Sequence, residues 1–305
     1  MSEAFKSALP HDLANHVLAG CGEKGKEWLE KLPSTLAALE GLWSLKVLPP
    51  FPGIEFNFVA PAVLENGEQA VVKVAPPWEP VEIFREAAYL RCRNGNGAIR
   101  LIAEDRASRG ILLERSIPGK SLTECFKNSE PDSVVHAIEV LRMILRPAAD
   151  AGEDIILLDD WVDGLRRYGS TGFPASYAEK ALHTYESLSK QPNRTFYIHG
   201  DFHPGNLVST DRADFLAIDP KGVIGHIGYE IAVFLNNFHW WQEEKRDIRP
   251  ILEVAVRQFS EAFEVDSFEL RQWAYVQMVL SAWWMFDEMP DVYNNEVAKA
   301  DIWDV

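Results

Sequence analysis

Asp201, Asn206 and Asp219 bring a carboxylate, an amide and a second carboxylate into one short stretch, carried by His199-Gly200-Asp201-Phe202-His203-Pro204-Gly205-Asn206-Leu207 and Phe215-Leu216-Ala217-Ile218-Asp219. Such a trio can hold a hydroxyl and a magnesium ion at once. Phosphoryl transfer through a loose transition state asks a protein mainly to position groups and neutralise charge, so it needs a base for the accepting hydroxyl and oxygen ligands for Mg²⁺. Asp201 suits the first role, Asn206 and Asp219 the second. Either residue type alone often does no more than satisfy the backbone of a turn; the full spacing is what argues for chemistry.

The elements that must position these groups are short. Phe196-Tyr197-Ile198 reads as a strand feeding a loop stiffened by Pro204 and turned by Gly205, and Leu207-Val208 resumes a strand before a polar turn from Ser209 to Asp214. Both metal ligands then face one cleft. Upstream, Lys73 lies in Val71-Val72-Lys73-Val74, where a period of two places the ammonium on the face opposite its valine neighbours. A carboxylate from the following helix is needed to hold it. Glu82 and Glu86 sit one turn apart, and Glu86, beside Ala87 and Leu90 on the inward side, is the expected partner. Lys221, directly after Pro220, stands either near phosphate or acceptor, or in an ion pair with a neighbouring carboxylate.

The segment HGDFHPGN, with AIDPKG after it, resembles the aminoglycoside phosphotransferase family of kinase-fold enzymes. DPKG and the following Gly228-Tyr229-Glu230-Ile231-Ala232 resemble its streptomycin 6-kinase and hydroxyurea phosphotransferase branch, and the likeness runs from about Leu45 to about Asn237. The resemblance implies ATP and Mg²⁺ as cofactors, Asp201 as catalytic base, Asn206 and Asp219 as magnesium ligands, and Lys73, paired with Glu86, at the nucleotide α and β phosphates. Glu114 and Ser116, in Leu112-Leu113-Glu114-Arg115-Ser116-Ile117-Pro118-Gly119, would offer backbone groups to adenine, although an ordinary interdomain linker is the alternative there. His199 titrates near neutrality in isolation, yet the kinase pattern makes it a prop for the loop, and His203 is read as structural as well. Phe51 to Phe58 carries the single Gly53 in place of GxGxxG, so a phosphate-covering loop and a plain turn both stay open. Two positions depart from the pattern: Glu230 where relatives usually carry Asp, and His226 where an acidic residue is common.

At 305 residues the chain can form two lobes, and 47% hydrophobic with 25% charged residues is ordinary for a globular protein. A formal net charge of −16 argues against a nucleic-acid partner, which needs a basic patch. It favours cationic ligands by steering, or serves solubility alone. Cys21, Cys92 and Cys125 are far apart and lack CxxC spacing, so no disulfide framework or zinc site is expected. With no signal pattern in Met1 to Pro10, a reducing cytoplasm fits. The most apolar segment, Trp273 to Phe286, is too short to span a bilayer and reads as a buried helix.

The fold expected is α+β, bilobal and protein-kinase-like, with a small N-lobe at 1–115 and a larger, mostly helical C-lobe at 116–305. A helical preface over 11–43, interrupted at Gly20 to Gly25 and again at Pro33, leads into strands at Leu45 to Leu48, Ile54 to Val63 and Gln69 to Val74, with an Asn66-Gly67 hairpin turn. A helix from Pro80 to Arg93 and strands at Ile99 to Ala103 and Gly110 to Glu114 complete an antiparallel five-stranded sheet with one main helix. After Pro118-Gly119, which should end the extended run, helices are expected at 132–149, 159–168, 174–189, 228–240, 244–263 and 267–288, interrupted only by the motif strands, with a last short helix or cap near Trp303.

Only nine residues separate Asp219 from Tyr229, too few for the segment with which protein kinases bind an extended peptide. The acceptor is therefore expected to be a small molecule, lying near polar and aromatic edges offered by Glu230, Asn236, Asn237, His239, Trp240, Glu243 and Asp287. A streptomycin-like aminoglycoside or hydroxyurea is what the branch implies. An endogenous alcohol, sugar or amino alcohol fits the same chemistry, and a non-catalytic nucleotide-binding protein of this fold is the reading from a different class.

Overall fold

The computed structural model describes residues 9–127, 129–151, 155–190, 194–237, 247–288 and 296–305. The chain divides into two compact units between Ile117 and Pro118.

In the first unit, helix α1 (His11–Trp43) buries the stripe Leu13, Val17, Leu29, Leu32, Leu36 and Leu39. Of the two expected interruptions, only the glycine region breaks the helix. Gly22 adopts φ 54° and ψ −129°, which its missing Cβ permits, whereas Pro33 remains inside the helix. An internal proline costs about 3 kcal/mol, and the leucine stripe on either side of it supplies enough burial to offset that.

The stripe packs on an antiparallel sheet of order β1-β2-β3-β5-β4, made of β1 (Leu45–Val47), β2 (Phe58–Leu64), β3 (Gln69–Val74), β4 (Leu101–Asp105) and β5 (Gly110–Glu114). Phe58, Ala60, Ala62, Ala70, Val72, Val74 and Leu112 meet the leucines. The second strand begins at Phe58, later than the expected Ile54, because the chain before it is taken up by turns. The alternation that sends Val72 and Val74 into this core leaves Lys73 on the other face of β3. Helix α2 (Ile83–Arg93) lies against β4 and β5.

The second unit opens with a difference from the sequence reading. Pro118–Ser121 does not end the extended run but forms β6, which pairs with β9 (Leu207–Thr210) at the edge of a three-stranded sheet of order β10-β9-β6. Proline is admissible as the first residue of an edge strand, where its missing N–H leaves no gap in the ladder. A capping box between Ser121 and Glu124 then starts the single-turn helix α3 (Leu122–Cys125). Helix α4 (Glu130–Ile144) stops short of the expected 149: Leu145 is already extended, and Pro147 disfavours a helical residue before it. A second small sheet, of order β7-β11-β8, joins β7 (Ile156–Leu157), β8 (Thr195–Ile198) and β11 (Val223–His226). With β10 (Phe215–Ala217), the strands of this unit therefore exceed those of the motif region.

Around the two small sheets stand α5 (Leu158–Leu165), α6 (Ala175–Leu188), α7 (Ile227–Asn236), α8 (Arg249–Phe263) and α9 (Ser267–Glu288). The end of the helix expected over 228–240 and the start of that over 244–263 fall outside the described residues. Trp273 and Trp283 of α9 are fully buried, and so is Trp303, at the end of a 3-10 helix Glu296–Trp303. Among the described residues, no helix is long and apolar enough to cross a membrane.

Candidate active site

Strand β8 delivers the chain into a loop whose geometry is fixed by its own polar groups. His199 is fully buried; its Nδ1 accepts the Asp201 N–H at 3.2 Å, so Nε2 carries the proton and donates to the Ile218 carbonyl at 2.9 Å. Burial lowers its pKa to about 4. A neutral imidazole with both nitrogens committed props the loop and has no capacity left as a base. His203 acts similarly one turn on, with Nδ1 accepting the Gly205 N–H at 3.0 Å.

Between these histidines the loop turns through Gly200 at φ 83°, where an added Cβ would lie 2.7 Å from Val223 Cγ2 and 3.0 Å from the Trp161 ring. Only glycine fits. The same peptide units are held from below by Glu230, in the first turn of α7: its Oε1 accepts the His199 N–H at 2.6 Å and its Oε2 the Gly200 N–H at 2.8 Å. Glu230 is fully buried, so it is not the acceptor-side group that the sequence reading makes it. Both of its oxygens are engaged in shaping the loop. His226 caps α7 by accepting the Gly228 N–H at 3.0 Å and stacks on Trp273, which also places it in the core.

The loop presents Asp201 with about a third of its side chain exposed, next to buried Asn206. Asn206 Nδ2 donates to the Asp201 carbonyl at 3.0 Å and lies 3.3 Å from Asp201 Oδ2. That fixes the amide orientation and assigns Oδ1 as the atom left for a cation. Asp219 sits at φ 57°, a left-handed conformation that aspartate tolerates better than most residues. Lys221 bridges the two carboxylates, with Nζ 3.8 Å from Asp201 Oδ2 and 3.5 Å from Asp219 Oδ2. Carboxylate and amide oxygens are hard donors, and this set fits Mg²⁺ better than a thiolate-seeking metal.

In the first unit, Lys73 Nζ and Glu86 Oε2 are 2.6 Å apart, with side chains only 7% and 5% exposed. Glu82 turns instead to Arg85, at 3.0 Å. At the end of β5, the Glu114 N–H donates to the Arg100 carbonyl at 2.9 Å, and the Glu114 carboxylate accepts the Arg100 N–H at 2.8 Å. Ser116 follows two residues later, with a buried hydroxyl.

The remaining acceptor-side candidates are not gathered by the structure. Asn236 is buried, donating to the Ala274 carbonyl at 2.8 Å and accepting the Trp303 Nε1–H at 2.8 Å. Asn237 donates to the Val233 carbonyl at 2.7 Å, and Asp287 is 3.8 Å from Arg167. His239, Trp240 and Glu243 lie outside the described residues. What the sequence reading does not single out is the half-buried Trp161, against Gly200, whose ring centroid is 5.4 Å from that of Trp284. Their aromatic content is visible in the sequence, but nothing there relates α5 and α9 to the loop.

The sequence model of one protein family, described as aminoglycoside/hydroxyurea antibiotic resistance kinase, matches residues 56–288. The chain is 24% identical to a streptomycin 6-kinase of Streptomyces griseus, over 99% of this chain and 98% of that one. It is 28% identical to a hydroxyurea phosphotransferase of Kitasatospora aureofaciens, over 75% and 68% of the two chains. Among solved structures, a choline/ethanolamine kinase family protein from Mesorhizobium loti superposes with a TM-score of 0.64 at 14% identity, covering 90% of this chain and 91% of that one, which establishes a shared fold.

Proposed function

Because the chain belongs to the aminoglycoside/hydroxyurea antibiotic resistance kinases, and is thus a small-molecule phosphotransferase, we propose that it moves the γ-phosphoryl group of Mg²⁺·ATP to a hydroxyl of a streptomycin-like aminoglycoside or of hydroxyurea. The observation that carries this reading is the contact of Asn206 with both the carbonyl and the carboxylate of Asp201, in a loop braced by Glu230. It puts a base and a cation ligand side by side.

In this reading Asp201 orients the acceptor hydroxyl and takes its proton as the new O–P bond forms and the bond between the γ-phosphorus and the bridging oxygen breaks, releasing ADP. Asn206 and Asp219 hold Mg²⁺, which supplies charge neutralisation at the phosphates. Lys73, oriented by Glu86, binds the α and β phosphates. Glu114 and Ser116 contact adenine through their backbones; since the Glu114 N–H is engaged with Arg100, the contact from Glu114 uses its carbonyl. We place the reaction in the cytoplasm, where ATP is supplied, and the chain's net charge of −16 supports capture of a polycation such as streptomycin.

The test is the mass of streptomycin, hydroxyurea and a pooled set of aminoglycosides and cellular alcohols after incubation with enzyme and Mg²⁺·ATP. A phosphate-sized gain on either drug, absent with Asp201→Asn, is the expected result. A gain on a cellular alcohol alone would transfer the chemistry to ordinary metabolism and overturn the drug assignment.

A further inference from the structure

The position of Lys221 is not explained by the roles assigned so far. Its backbone N–H is fixed on the His199 carbonyl at 2.7 Å, so the residue is anchored to the loop that carries the base. Its Cβ lies 3.3 Å from where a Cβ on Gly200 would be, which sets the start of its stem beside the same turn. From there the ammonium reaches between Asp201 Oδ2 and Asp219 Oδ2, at 3.8 and 3.5 Å. Neither contact has closed to the roughly 2.8 Å of a strong charge-assisted hydrogen bond. About 30% of the side chain is exposed, so the head group retains freedom that a locked salt bridge would lack.

We propose that Lys221 is a further catalytic residue: its ammonium acts as the resident counter-cation of Asp201 and Asp219, and swings onto the transferring phosphoryl group when a divalent cation takes its place. The proposal rests on the kinase reading above and extends it. An ammonium within 4 Å of two carboxylates stabilises both while no metal is present. A divalent cation at Asp219 reverses that balance, because the lysine is then beside a like charge. The nearest compensating negative charge is the terminal phosphate that arrives with the metal, and the flexible four-carbon stem allows the move. Lysine adds a positive point charge to equatorial oxygens that carry the developing charge in the transition state. No bond to the lysine forms or breaks.

Two binding measurements on the full chain test this without relying on turnover. Mn²⁺ binding in the absence of nucleotide, followed by electron paramagnetic resonance, should tighten by about threefold or more in Lys221→Ala, since a competing positive charge is removed. The preference for ATP over ADP, measured as a ratio of Kd values with Mg²⁺ present, should fall by about tenfold in the same variant and be largely restored in Lys221→Arg. Lys221→Met keeps the stem against the loop and serves if the alanine variant does not fold. Either quantity unchanged in a folded variant overturns the proposal, as does unfolding of both the alanine and methionine variants, which would make the lysine a structural ion pair. A wild-type protein that binds neither Mn²⁺ nor ATP would instead overturn the nucleotide-and-metal reading on which the proposal stands.

Discussion

The carboxylate of Glu230 is bonded to the backbone of His199: Oε1 accepts the His199 N–H at 2.6 Å while Oε2 takes the next N–H, that of Gly200. A helix side chain thereby sets the course of the loop two residues ahead of the base. Replacing it by Gln substitutes an amide NH₂ for one acceptor and leaves a buried N–H without a partner, at a cost of about 1–3 kcal/mol. Glu230→Gln should lower the thermal midpoint and reduce kcat, with the KM for ATP little changed. Unaltered kcat in a folded variant would show that the loop keeps its shape without this brace.

Asp201→Asn keeps the shape of the side chain and removes its basicity. Turnover should fall by about 100-fold to 10,000-fold, the usual contribution of a general base, while nucleotide affinity is retained. Parallel loss of ATP binding would point to a structural role instead.

The Lys73–Glu86 pair makes a prediction about stability and binding separately. Lys73→Met leaves Glu86 buried and uncompensated, and should destabilise by about 3–5 kcal/mol. The double change Lys73→Met with Glu86→Leu should recover much of that stability. It should not recover ATP affinity, so denaturation midpoints and nucleotide Kd values measured on all three proteins would diverge. If affinity returned with stability, the lysine would have no part in holding phosphate.

His226 gives the fold a dependence on acidity. Burial lowers its pKa to about 4, with Arg194 adding to the effect, and this outweighs any pull from Glu269, whose Oε1 is 3.6 Å from Nε2. The folded pKa lies below the ordinary value near 6.5, so the unfolded chain binds the extra proton. The stabilisation is complete above about pH 6.5 and is lost as pH falls toward 4, by up to about 3 kcal/mol. His226→Asn, which preserves a capping side chain for α7, should show a shallower fall of thermal midpoint between pH 7 and 4.5. Equal slopes would mean that this imidazole protonates without unfolding.

How far these features are legible in the sequence depends on what their partners are. The contact between Lys73 and Glu86 can be read because both ends are side chains, placed by the period of a strand and the period of a helix. The hairpin strands and the buried α9 declare themselves through residue type and apolar content. Glu230 cannot be placed in the same way, since its partners are backbone N–H groups, which carry no sequence signature. The strand at Pro118–Ser121 is hidden for a different reason: it exists through pairing with β9, where the Lys120 N–H donates to Ser209 Oγ at 3.0 Å, a contact spanning most of the second unit's motif region. Gly200 shows the limit most plainly. Its identity is obvious in the sequence, but the Trp161 ring and Val223 methyl that require it come from elements only the fold brings together.

The chain between Asp219 and α7 is where many kinases place their controls. Here that stretch is β11, paired in parallel with Ile156 and Leu157 on one side and antiparallel with Thr195 to Ile198 on the other. Val223, Gly225 and His226 are buried. A phosphate or a docking protein would have to unzip two ladders to act on it, so the segment offers no place for an on–off switch. Output would then scale with how much of the protein the cell makes and how much nucleotide and acceptor it meets, which suits a catalyst kept ready for a toxic compound whose arrival cannot be anticipated.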